Sequence, residues 1–196
     1  MKKRTAVIAA LVSLLPMGQT LVIGSGAALT STAVMLSVPE SAKAESVDFF
    51  FHLSGINKGK SGDYYGAISD YTKAIEINPK LFQAYYNRGR AKNSLKDYSG
   101  ALSDYTKVIE INPRYKDAYI ARAITKGRLE DYSGVISDAT KAIEINPKDE
   151  IAYGLRGYAK QVLGDMQGAC FDWRKASSLG ETGTNLVIGD LRKYCS

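Results

Sequence analysis

Ten residues are written almost identically three times, at a constant offset of 34 residues: DYTKAIEINP over 70–79, DYTKVIEINP over 104–113 and DATKAIEINP over 138–147. A catalytic site needs one copy of its chemistry. A segment repeated at this period is one supersecondary unit that stacks on its neighbours to bury a shared core. Setting the shared proline at position 32 of a 34-residue unit gives units 48–81, 82–115 and 116–149, and a fourth, degenerate unit at 150–183 follows in register. Position 8 then holds Gly55, Gly89, Ala123 and Gly157, and position 20 holds Ala67, Ala101, Val135 and Ala169.

Each unit reads as two antiparallel helices, the first over about positions 2–14 and the second over about positions 17–30. Asp63, Asp97, Asp131 and Asp165 stand at position 16, where a carboxylate caps the orphan N–H groups of the second helix. Asn78, Asn112 and Asn146 precede proline, which disfavours helical backbone and marks the exit. Small residues at positions 8 and 20 let the helices approach. Aromatics at positions 4, 17 and 24 then fill the gaps between units, which accounts for most of the tyrosines and reads as core rather than as a ligand box.

These residues resemble the tetratricopeptide repeat (TPR) family. Its pattern has an aromatic at position 4, Gly at 8, Ala at 20, an aromatic at 24, Ala at 27 and Pro at 32. The likeness runs from Asp48 to about Gly183. The NRG of Asn87–Gly89 and the ending CFDWRKASSLG are similar to exported bacterial members. The resemblance implies an all-α, right-handed α-solenoid of helix-turn-helix units with a C-terminal capping helix in 184–196. It also implies a concave groove, lined by the first helices, that binds a protein or peptide segment. Two departures stand out. Position 11, usually Tyr in the family, is Lys58, Lys92, Lys126 and Lys160. Unit three carries Ala123, Val135 and Ala139 for Gly, Ala and an aromatic, so its packing is expected to be the loosest.

Positions 5, 9 and 12 of the first helix share a face, and position 6 adds Asn87. The candidate groove residues are therefore His52, Tyr86, Asn87, Arg90, Asn93, Ile120, Ile124 and Tyr158. One TPR subtype grips a chain-terminal carboxylate with Lys and Asn. Here His52, Ile56, Asp117 and Ala121 occupy most of the matching positions, so binding of chaperone tails is not expected. Arg88, Arg122 and Arg156 at position 7 and Asp70, Asp104, Asp138 and Asp172 at position 23 read as a structural ion-pair row, with an arginine track for an acidic partner as the competing reading.

The N-terminus is a different kind of sequence. It opens MKKR, carries no charge from Thr5 to Pro39 and passes through SAKA before Glu45. That describes a signal peptide over 1–44. The uncharged run is long, and residues 20–38 approach the length of one membrane span, so an uncleaved anchor is the second reading. Either places residues 45–183 in the periplasm or an equivalent compartment, with membrane contact only through the N-terminal segment. The remainder has 22 basic against 19 acidic residues, which gives no reason to invoke nucleic acid. Cys170 and Cys195 allow one disulfide in an exported chain, or two separate buried thiols. A single histidine, cysteines outside C-x-x-C spacing and the lack of a phosphate-loop motif point away from an enzyme, a metal or a cofactor. The expected role is a scaffold, adaptor or assembly factor. A membrane-tethered assembly factor and a self-associating structural module are the alternatives.

Overall fold

The computed structural model describes residues 21–23, 27–29, 40–180 and 195. Among them are two three-residue strands, β1 (Leu21–Ile23) and β2 (Ala27–Leu29), paired antiparallel with Val22 opposite Ala28. Eight helices follow: α1 (Glu40–Lys60), α2 (Tyr64–Ile77), α3 (Phe82–Ser94), α4 (Tyr98–Ile111), α5 (Lys116–Arg128), α6 (Tyr132–Ile145), α7 (Glu150–Val162) and α8 (Met166–Leu179). They form an all-α helical-repeat solenoid of four helix pairs. α1 extends back to Glu40 and so runs through the expected cleavage point before Glu45. No described helix is long and apolar enough to cross a membrane. Residues 1–20, most of the candidate span 20–38, and the expected capping helix except Cys195 lie outside the described residues.

The cap chemistry repeats in every unit. Asp63, Asp97, Asp131 and Asp165 accept from the backbone N–H of Gly66, Gly100, Gly134 and Gly168 at 2.8–2.9 Å. A Cβ built on any of these glycines would fall 2.1–2.2 Å from the capping carboxylate, so the glycine is part of the cap. At the other end, the Asn78, Asn112 and Asn146 side chains accept from the N–H two residues on, closing a turn over the proline. Position 15, between the helices of a pair, is left-handed in all four units. It holds Gly62 and Gly164 at φ 86° and 87°, but Lys96 and Glu130 at φ 63° and 61°.

Each pair locks at one close contact. A Cβ on Gly55 would lie 2.6 Å from the Tyr71 ring, on Gly89 2.7 Å from Tyr105, and on Gly157 2.6 Å from Trp173. The glycine is thus the socket for the aromatic at position 24. In unit three both members change together. Ala123 and Ala139 occupy these positions, and neither has exposed surface. The matched exchange offsets the looseness expected from either substitution alone. Between units, Ala84, Ala118 and Ala152 at position 3 are fully buried, which lets each first helix sit close against the preceding pair. Cys170 and Cys195 form a disulfide with Cα atoms 5.4 Å apart, tying the end of the chain to α8.

Candidate functional site

The first helices α1, α3, α5 and α7 approach one another in succession, which places their facing side chains along one side of the array. The charged residues sort into two sets. In one set the Arg88 Nε and Nη2 donate to both oxygens of Asp104 at 3.0 and 2.7 Å, and the Lys92 Nζ joins the same carboxylate at 2.9 Å. Arg122 and Lys126 hold Asp138 in the same way, and Arg156 and Lys160 hold Asp172. Lys92, Lys126 and Lys160 at position 11 are therefore each the second cation on a buried carboxylate. Each guanidinium also reaches back one unit, donating from Nη1 to Thr72, Thr106 or Thr140 at 3.0–3.3 Å.

Unit one has no arginine. Ser54 and Lys58 serve Asp70 instead, at 2.6 and 2.7 Å. Burial would raise the Asp70 carboxyl, but these hydrogen bonds outweigh it and hold the group below its ordinary range. The acids of the row are at most 4% exposed, so it is structural, and the arginine-track reading is set aside.

Arg90 belongs to the other set. It is exposed, lies 6.0 Å from the centroid of Tyr86, and forms no ion pair among the described residues. It stands in the field of Tyr71, Tyr86, Tyr105 and Tyr115. Burial pushes all four phenols up, Tyr71 to about 12. Tyr86 packs edge-on against Tyr115 with centroids 5.3 Å apart. A hollow of about 410 Å³ opens between α1 and α3 over α2. Its lining includes Ile56, Tyr64, Tyr71, Asn87, Arg90 and Asn93. The amide oxygen of Asn93 is buried without a hydrogen-bond partner.

The structure brings some expected groove residues together and removes one. The His52 Nε2 and Asn87 Nδ2 lie 3.0 Å apart, joining units one and two across the face. Burial lowers the His52 pKa against the opposing charge of Asp48 and a backbone contact at Gln83. Tyr86, Arg90 and Asn93 follow on α3. Ile124 and Tyr158 are open at 38% and 45% exposure, with Tyr158 edge-on to Tyr132 at 6.1 Å. Ile120 is a correction. It is only 9% exposed and packs in the core with Tyr119, Ala142 and Ala152. Position 5 stacks on position 24, as His52 does on Tyr71 and Tyr86 on Tyr105, each at 5.9 Å. In unit three, where position 24 is Ala139, no ring holds position 5, and Ile120 is buried with Ala142 and Ala152. Tyr64, in the wall of the hollow, is a lining residue that the first-helix spacing could not supply. Among the described residues no cluster of His, Cys, Asp or Glu is placed to hold a metal.

Known proteins match this architecture. Residues 82–115 match the profile described as tetratricopeptide repeat, and residues 60–94 match one described as TPR repeat. No curated protein matches the sequence significantly. Among solved structures, the first TPR of Spaghetti (RPAP3) bound to the HSP90 peptide SRMEEVD aligns with TM-score 0.59 and 25% identity, covering 60% of this chain and 94% of that one. MamA 41-end from Desulfovibrio magneticus RS-1 aligns with TM-score 0.63 and 21% identity, covering 76% and 89%. The Arabidopsis OM64 TPR domain aligns with TM-score 0.59 and 23% identity, covering 61% and 98%.

Proposed function

Because the chain belongs to the tetratricopeptide-repeat family, a family of protein-interaction modules, we propose that it is an exported scaffold, adaptor or assembly factor that holds a segment of another protein against its first helices. The observation that carries this reading is the hollow between α1 and α3, whose wall includes the exposed Arg90, without an ion-pair partner among the described residues. A concave surface with an uncommitted charged group marks a binding site rather than a finished core. The RPAP3 domain, similar in fold, holds a peptide. Binding works by recognition with no covalent step. Export is inferred from the basic start, the uncharged run to Pro39 and the SAKA exit. The Cys170–Cys195 disulfide supports an oxidising compartment.

The test is cross-linked capture from native cells with the tagged full chain and with its Tyr86→Ala/Arg90→Ala variant. One partner captured by the first and lost by the second supports the groove, whereas equal capture sinks it. Detection of Glu45 as the amino terminus separates a cleaved protein from a tethered one. A second reading, self-association through the amino-terminal end of the array, is favoured by Phe49, Phe50 and Leu53, which are 62%, 59% and 46% exposed on α1. Solution size at micromolar concentration distinguishes it.

A further inference from the structure

We propose that the segment bound in the groove carries an aspartate or glutamate within its length, and that Arg90 receives this side chain in the hollow between α1 and α3. The inference rests on the groove reading above and deepens it.

The first argument is the cation inventory. Arg88, Arg122 and Arg156 are each committed to a buried carboxylate in their own unit. Arg90 has no such partner among the described residues, and no carboxylate lines its hollow. The other cation there is Lys60. At the equivalent position 9 the remaining units place Ile56, Ile124 and Tyr158. At position 9 the face thus offers one cation flanked by apolar side chains, with Lys60 as a second cation of the hollow on α1, which complements an acid flanked by apolar residues. The surrounding phenols matter too. Aromatic walls exclude water, and a guanidinium–carboxylate pair strengthens as the local dielectric falls.

The second argument is placement. Arg90 and Asn93 lie on successive turns of α3 and both line the hollow, so a segment seated there meets the guanidinium and a side-chain amide together.

The third argument separates an internal acid from a chain terminus. A terminal carboxylate next to an acidic residue brings two or more negative charges and needs cations from several units. The positions that would supply them hold His52, Ile56, Asp117 and Ala121. Arg90, the one guanidinium in the hollow, matches one side-chain carboxylate.

The experiment is a selection on the full chain and on Arg90→Gln, with two random-peptide libraries. One is displayed inside a carrier loop without free ends, and the other has free carboxyl termini. Arg90 is exposed and unpaired, so the variant should match the parent in circular dichroism and melting. The proposal expects loop-library sequences with an acid at one fixed place between apolar residues. It also expects their retention to fall about tenfold or more on Arg90→Gln, the scale of one charge-assisted hydrogen-bonded pair. Enriched sequences with no fixed acid, or equal retention on both proteins, overturn the proposal and leave the groove reading standing. Enrichment only from the free-terminus library overturns the internal acid. No enrichment from either library overturns both the proposal and the groove reading.

Discussion

Arg88 grips Asp104 through two parallel hydrogen bonds, from Nε at 3.0 Å and from Nη2 at 2.7 Å. The acid is 4% exposed and the arginine 15%, so this pair is desolvated. Removing one member leaves the others as buried charge, which is the costly way to break such a pair. Asp104→Ala should lower stability by about 3 kcal/mol in urea denaturation, because Arg88 and Lys92 both lose their anion. Asp70→Ala should cost less, since its cation Lys58 is 41% exposed. Equal losses at the two positions would contradict the ordering.

The glycine socket makes a sharper test. Gly89→Ala drives a methyl group to 2.7 Å from the Tyr105 ring and should cost about 2 kcal/mol. Tyr105→Ala alone opens a cavity and should cost about 3 kcal/mol. The double variant reproduces the Ala123–Ala139 combination of unit three, and its loss should fall short of the sum by about 1 kcal/mol. Additive losses in the double-mutant cycle would show that the matched exchange is coincidental.

Lys96 and Glu130 hold left-handed backbone that units one and four give to glycine. A side chain there costs about 1–2 kcal/mol, partly offset by the unfolded-state entropy of glycine. Lys96→Gly and Glu130→Gly should each raise stability by up to about 1 kcal/mol, read as a higher midpoint in thermal melting. A lower midpoint for both would overturn the strain argument.

His52 should give the array a mild acid sensitivity. Burial favours the neutral ring, which accepts from the Asn87 amide, while Asp48 opposes the shift. The folded-state pKa lies below the ordinary 6.5, so the contribution is fully present above that pH. It is lost as pH falls from there through the folded-state value, because the unfolded chain then binds the extra proton. Melting of the wild type followed down through this window should show a decline that His52→Gln lacks. Parallel profiles for the two proteins would remove the histidine from the explanation.

What was legible in the sequence was what repeats or acts locally. The Asp cap, the Asn-Pro exit and the small residues are set within one unit, so their spacing carries the information, and the α4 span agrees with the expected second helix. What was hidden lies between helices. Lys92 looked like a departure from a pattern until α3 and α4 were paired, when it proved to share Asp104 with Arg88. His52 and Asn87 meet across a unit boundary, 35 residues apart, which no helical period predicts. Ile120 was misread because its burial comes from Ala142 and Ala152, residues on other helices. The glycines at 66, 100, 134 and 168 did carry a signal, a strict recurrence three residues after each capping aspartate.

The backward reach of the arginines gives the array a polarity. Each guanidinium leans on a threonine of the preceding unit, and none leans forward. Within this row of hydrogen bonds, trimming the last pair strands only the Thr140 hydroxyl, which water can satisfy. Trimming the first pair takes Thr72 from Arg88 and leaves a charged donor one partner short at the new edge. As far as this row is concerned, shortening from the carboxyl side should therefore be tolerated better than shortening from the amino side.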